Sequence, residues 1–231
     1  VNMIWIILVL DIISIASDCY QLDLLFKLQE GVEVSETTAA TADFIDWAIT
    51  IIALIAYIIS VVAFIRWFRR AYYNMGTLMG GGLTHSEGWA AGGWFVPILN
   101  LYVPYQIMEE LYRKADQILL YRQNENYTTR LKTSYVKWWW AVWLICGIIG
   151  RIFLQTMLKA ETVTQLIDSA IFSIIISGLD IILCLITIIV VKDYAEAEAL
   201  LTDSQDGNEL PPEYIEPDDN IIKSAEPYHQ E

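Results

Sequence analysis

A run of 19 residues, Trp47 to Ile65, contains no charged side chain. A second run, Ser169 to Val191, holds 23 residues and one charge, Asp180. A helix of about 20 mostly apolar residues crosses a hydrocarbon core of roughly 30 Å. Inside that core every backbone N–H and C=O must be satisfied internally, so runs of this length are expected as helices. Composition agrees, with 55% of the 231 residues hydrophobic and 18% charged. Soluble domains average about 45–50% apolar and about 25% charged. The expected fold class is all-α integral membrane.

Four transmembrane helices are predicted. Span one runs from Val1 to Leu25, interrupted by Asp11, Asp18 and Asp23, with Cys19 to Leu28 as an amphipathic extension. Span two covers Phe44 to Phe68, with Asp46 near one end and Arg66, Arg69 and Arg70 at the other. Span three is Trp138 to Leu158, with Arg151 inside, and span four is Ser169 to Val191. Val1 opens directly in an apolar run with no basic segment before it, which argues against a secretory signal.

The segment between spans two and three is less regular. It opens with Gly76 and Gly80 to Gly82, then Thr84-His85-Ser86-Glu87, which has capping-box spacing and predicts a short helix. Trp89 to Met108 carries no charge but is broken by Pro97 and Pro104, and Glu109 to Arg122 reads as an amphipathic helix. A fifth span is disfavoured by Arg113, Lys114, Arg122, Arg130, Lys132 and Lys137. Basic residues collect on the cytoplasmic side, and a fifth crossing would put these six outside. Trp89 to Met108 is therefore expected as a re-entrant or interfacial elbow that seats the amphipathic helix at the cytoplasmic surface. Both termini are then cytoplasmic, with loops 30–43 and 159–168 outside. Trp138, Trp139, Trp140 and Trp143 are expected as an aromatic belt.

The net charge is −14, and the residues after Lys192 hold 12 acidic side chains against one lysine, Lys223. Two regions follow: a four-span domain over 1–192 and an acidic tail over 193–231, expected disordered after a helical turn or two through Ala195–Ala199. An overall charge this acidic argues against nucleic acid as a partner. Cys19, Cys146 and Cys184 have no paired spacing, so no disulfide framework is expected. His85 stands without a second ligand, and Gly80–Gly82 lacks the Gly-Lys-Ser/Thr of a phosphate loop, so no metal and no cofactor is expected. No nucleophile–base–acid set appears, and the chain is expected not to be an enzyme. Asn126-Tyr127-Thr128 is a sequon on the cytoplasmic side, and Pro211-Pro212-Glu213-Tyr214 has the shape of a ligand for a WW-type module.

The central stretches are RWFRRAYYNM from Arg66, GWAAGGWFVPILNLYVPYQIMEELYRKA from Gly88 and WWWAVWLICGIIGRI from Trp138. On Trp67, Arg70, Ala71, Asn74, Trp89, Gly93, Trp94, Phe95, Pro97, Asn100, Pro104, Met108, Trp139, Trp143 and Arg151, the chain resembles the bacterial membrane family called domain of unknown function 4328. The resemblance runs over nearly all of 1–192, with its core at 66–115 and 138–152. It implies a prokaryotic multi-span protein of the inner (plasma) membrane and supplies no activity.

Three charges lie at similar depth by helical rise: Asp11, Arg151 and Asp180. Intramembrane ionisable groups usually pair or line a polar path. Arg151 is expected to pair with Asp180, with Asp11 as second partner, as a structural clamp or as part of an ion pathway. Asn100 and the aromatic residues around Pro97 form either a binding wall or a rigid elbow. Arg66, Arg69 and Arg70 fix topology and are placed to meet lipid headgroups. Ala56, Ser60 and Ala63 are small enough to seat another helix, from this chain or a second copy. Two function classes follow: a non-enzymatic scaffold or sensor that recruits a cytoplasmic partner through the basic face or the tail, and a small oligomeric channel or transporter built on Asp11, Arg151 and Asp180.

Overall fold

The computed structural model describes residues 1–122, 131–157 and 162–203. The expectations for the sequon at 126–128, for Arg130, for the tail beyond 203 and for its Pro-Pro motif fall outside these residues. Among the described residues all regular structure is helical. There are helices α1 (Asn2–Gln29), α2 (Glu36–Leu78), α3 (Glu87–Gly92), α4 (Val103–Tyr121), α5 (Thr133–Met157) and α6 (Val163–Asp203), with a 3-10 turn at Leu99–Leu101. α1, α2, α5 and α6 are long and apolar enough to cross a membrane.

α1 runs unbroken through Asp11, Asp18 and Asp23. α2 has 43 residues and α6 has 41, which is about 60 Å each at 1.5 Å per residue. That is about twice a hydrocarbon core, so their ends project well past it. α6 continues across Lys192 without a break, past the turn or two expected after span four, to Asp203. The Ala-Glu alternation favours helix, and Tyr194, Ala197 and Leu201 are buried on one face of it.

α1 packs against α2 and α6, and α5 packs against α6. α2 and α5 touch through Phe64 and Trp139, ring centroids 6.0 Å apart, but do not pack extensively, so the four long helices follow the order α2–α1–α6–α5. α4 lies across the basic end of these helices and packs on the ends of α2, α5 and α6. Its stripe of Ile107, Met108, Leu111, Tyr112, Ala115, Ile118 and Leu119 is fully buried. The expectation that this apolar face lies on a bilayer surface is therefore corrected. The projecting ends of the long helices supply a protein surface that covers it.

α4 also begins six residues earlier than Glu109. Pro104 sits in its first turn, where the missing N–H would have no helical partner in any case. The proline starts this helix and does not break it. Preceding it, Gly93 fits where a side chain could not, since an added Cβ would stand 2.8 Å from the Trp89 carbonyl oxygen and 2.9 Å from Val103 Cγ1. The reversal from α2 into α3 uses Gly80, Gly81 and Gly82, all with positive φ, a region that costs other residues about 1–2 kcal/mol.

The capping box does not form. The short helix is present but starts two residues later than that spacing implies, with Ser86 as N-cap and no side-chain cap. Thr84 instead gives its N–H and hydroxyl to Glu110 at 2.9 and 2.8 Å. Glu87 pairs with Arg69 at 3.1 Å. The buried carboxylate outcompetes a helix end for the threonine because it accepts charge-assisted bonds. The tryptophan belt is corrected as well. Trp138 is 68% exposed, but Trp139 and Trp140 are buried in the core.

Candidate functional site: a cavity between the long helices

α1, α2, α5 and α6 surround a cavity of about 520 Å³. Most of its wall is aliphatic: Ile4, Ile7 and Leu10 from α1, and Ala53, Leu54 and Val61 from α2. Two carboxyls interrupt it, Asp11 from α1 and Asp180 from α6, within electrostatic reach of each other. The Cys146 thiol of α5 faces Asp180. Asp11 Oδ2 is buried and has no hydrogen-bond partner.

The base of the cavity is aromatic. Phe64, Trp94, Trp139 and Trp143 line it. Trp94 stands at the centre, edge-on to Phe64 at 5.7 Å, Phe68 at 6.0 Å, Trp139 at 6.5 Å, Trp140 at 6.0 Å and Trp143 at 5.8 Å between ring centroids. Edge-to-face pairs of this kind contribute about 0.5–1.5 kcal/mol each beyond area burial. Trp140 stacks on Trp143 at 4.6 Å and donates its indole N–H to the Leu101 carbonyl at 3.0 Å, which pins the 3-10 turn to α5. Trp139 Nε1 donates to Thr187 Oγ1 at 3.1 Å. Thr187 lies seven residues beyond Asp180, so the carboxyl level stands about 10 Å above the aromatic base. Trp94 Nε1 is buried without a hydrogen-bond partner.

Beneath the base the packing is continuous. Phe68, Tyr72, Met75, Ile107, Met108, Leu111 and Tyr112 are all at most 2% exposed. Within this core Tyr72 donates to Glu110 Oε2 at 2.7 Å and accepts the His85 N–H at 2.9 Å. Tyr112 donates to the Val190 carbonyl at 2.8 Å, and burial, aided by the nearby Asp193 carboxylate, holds its phenol above the usual tyrosine range. Asn74 reaches Glu198 at 2.6 Å.

A second polar level lies about 10 Å from Asp11 in the other direction, since Asp18 is seven residues along α1. Ser173 donates to Asp18 at 2.8 Å and Ser17 donates to Asp46 at 3.2 Å.

The structure brings Asp11 and Asp180 together and leaves Arg151 out. Arg151 is exposed on α5 and forms no ion pair with either carboxyl. The expected clamp is corrected: Cys146, one turn and a residue before Arg151, occupies the face of α5 that meets Asp180, and helical geometry turns Arg151 away. Of the motif residues, Trp94 forms the cavity base, Trp67 packs edge-on to Tyr194 at 6.1 Å, and Pro104 is buried. Phe95 also lines the cavity yet is 75% exposed, Trp89 is 39% exposed, Pro97 is exposed and Asn100 is half-buried. Arg66, Arg69 and Arg70 are all exposed. Ser60 is buried and lines the cavity, while Ala63 is exposed.

Glu110 was not singled out from the sequence. Its signal is positional: it follows Ile107 by three residues, on the stripe that α4 buries. The arrangement of the site suits the retention of a small molecule. Among the described residues no group of three or more His, Cys, Asp or Glu gathers as metal ligands would.

The family model described as domain of unknown function (DUF4328) matches residues 30–196. That match takes in α2 to α5 and most of α6, and α1 with Asp11 precedes it. No curated protein and no solved structure matches the chain.

Proposed function

We infer that this chain, which belongs to the DUF4328 family, is a non-enzymatic membrane sensor that holds a small molecule between its spans and presents the consequence to a cytoplasmic partner. One observation carries the reading. Phe64, Trp94, Trp139 and Trp143 line the cavity and are also packed on the core around α4. A molecule resting on these rings shifts side chains that α4 depends on. Close-packed interiors transmit such strain more readily than they absorb it.

In this reading the basic end faces the cytoplasm of a bacterial cell and both termini lie there. Phe95 and Ile98, 75% and 73% exposed, form an interfacial anchor in the lipid. Arg66, Arg69 and Arg70 stand at headgroup depth. α6 carries the start of the acidic tail to the packed end, where Asn74 holds Glu198, so a partner of the tail meets the helix that borders the cavity.

The test is hydrogen exchange on α4 in nanodiscs, comparing wild type with Ala53→Phe, which fills the cavity. Altered protection of α4 amides supports coupling. Identical exchange along all of α4 contradicts it.

The channel reading has one observation in its favour, the two acidic levels along α1. The packed core beneath the aromatic base stands against a through-path in one chain. Liposome ion flux that Asp180→Asn changes would put the channel reading in place of the sensor.

A further inference from the structure

Resting on that reading of the cavity, we propose that its occupant is a lipophilic organic cation: an aryl or alkyl body bearing one ammonium group.

Charge complementarity is the first ground. Among the described residues, each interior carboxyl of the long helices meets only neutral or acidic groups. Asp11 faces Asp180, and Asp180 faces the Cys146 thiol. Asp18 takes Ser173 and faces Asp46, and Asp46 takes Ser17. Arg151, the one basic residue placed by sequence at this depth, is turned outward. A carboxyl removed from water is ionised at least cost beside a cation. In this site that cation has to arrive with a ligand.

The walls define the rest of the molecule. Aliphatic side chains and the Tyr57 phenol surround the carboxyl level, and the rings of Phe64, Trp94, Trp139 and Trp143 close the base. An apolar body is favoured by such a lining, and a cation near ring faces gains further attraction. The 10 Å between carboxyls and base, from helical rise, suits a phenyl ring joined to an amine by a short chain. Trp94 Nε1, buried and without a partner, can point its N–H at the face of an aryl end. The sparse packing between α2 and α5 is the natural place for entry from the lipid, where such an amphiphile partitions.

Two other occupants fit worse. Ca²⁺ or Mg²⁺ needs about six or more oxygen ligands and zinc about four ligands in all, and no group of three or more metal-ligating side chains gathers among the described residues. A phospholipid headgroup would bring its phosphate against two carboxyls.

The test uses the full chain in phosphatidylcholine nanodiscs, titrated with 4-phenylbutylamine and with its neutral counterpart 4-phenylbutanol. Empty nanodiscs serve as the blank. Tryptophan fluorescence reports occupancy, because Trp94, Trp139 and Trp143 line the site, and equilibrium dialysis gives the affinity. The proposal expects saturable binding of the amine about tenfold or more tighter than the alcohol, with the gap lost in Asp180→Asn. Asp11→Asn replaces that variant should it fail to fold. Equal binding of amine and alcohol would overturn the cationic class while leaving the cavity as a binding site. An amine preference that survives both substitutions would place the site elsewhere and overturn the proposal. Saturable binding of neither compound would remove the cavity reading with it.

Discussion

α4 and α2 are built from opposite materials and end in opposite surroundings. α4 carries five charged side chains over 19 residues, Glu109, Glu110, Arg113, Lys114 and Asp116, yet its inner stripe is fully buried. α2 contains a stretch of mean hydropathy 2.8, and only 6% of that stretch is buried within the chain. The most apolar stretch is the one the chain leaves uncovered, as a membrane-crossing helix would be, and amphipathic pattern marks where the chain meets itself. The same contrast separates the two ends of the bundle. Around α4, rings interlock and the buried carboxylate Glu110 receives three hydrogen bonds. Around Asp11 and Asp180 there is a cavity, and one carboxyl oxygen is left without a partner.

The largest expected effect comes from breaking the packed end. Phe68 is fully buried against Phe64 and Trp94. Phe68→Ala should cost about 3–5 kcal/mol, measured by thermal unfolding in nanodiscs. A cost near that of an exposed lipid-facing residue would remove the distinction between the two ends.

Glu110→Gln sharpens the contrast at a smaller scale. The amide keeps the shape but loses the charge and sets an NH₂ against donors from Tyr72 and Thr84. About 2–3 kcal/mol of stability should be lost, read from the same unfolding curves.

Alkaline pH should act on the packed end next. Burial, with Asp193 and Tyr135 nearby, raises the Tyr112 phenol above its usual 10.0. The folded state thus holds this proton more tightly than the unfolded chain. Its contribution is intact below pH 10 and declines as pH rises beyond it. Tyr112→Phe should make the decline in Tm above pH 10 shallower. An unchanged slope would mean that the phenol is not held in this way.

Arg151 should have the smallest effect. It is exposed and bridges neither carboxyl, so Arg151→Gln should change stability by less than about 0.5 kcal/mol. A large loss would restore the clamp that depth alone suggested.

The four spans were legible because an uncharged run such as Trp47 to Ile65 has few other uses. The break at Pro97 and the basic end were legible for similar reasons. What the sequence concealed was azimuth. Rise along a helix places Asp11, Arg151 and Asp180 at one level, but rotation decides which of them meet, and rotation depends on neighbouring helices. That is why Cys146 and not Arg151 faces Asp180. Pro104 was misleading in another way, since proline breaks a helix interior but opens a helix readily at its first turn. The resemblance through Trp94, Pro97 and Pro104 identified the family, and the family description carries no chemistry with it. The cavity itself was not legible, because its walls come from four helices far apart in sequence.

The central claim is that the middle of the bundle has room where the basic end has none. One aromatic ring added at each place tests it. Ala53 lines the cavity, and Ala115 is fully buried in the α4 core. Thermal unfolding in nanodiscs should show Ala53→Phe within about 1 kcal/mol of wild type, and Ala115→Phe destabilised by about 3 kcal/mol or unable to fold. Equal and severe loss in both variants would mean that no cavity exists between the long helices, and the account of this chain as a holder of small molecules would fall with it.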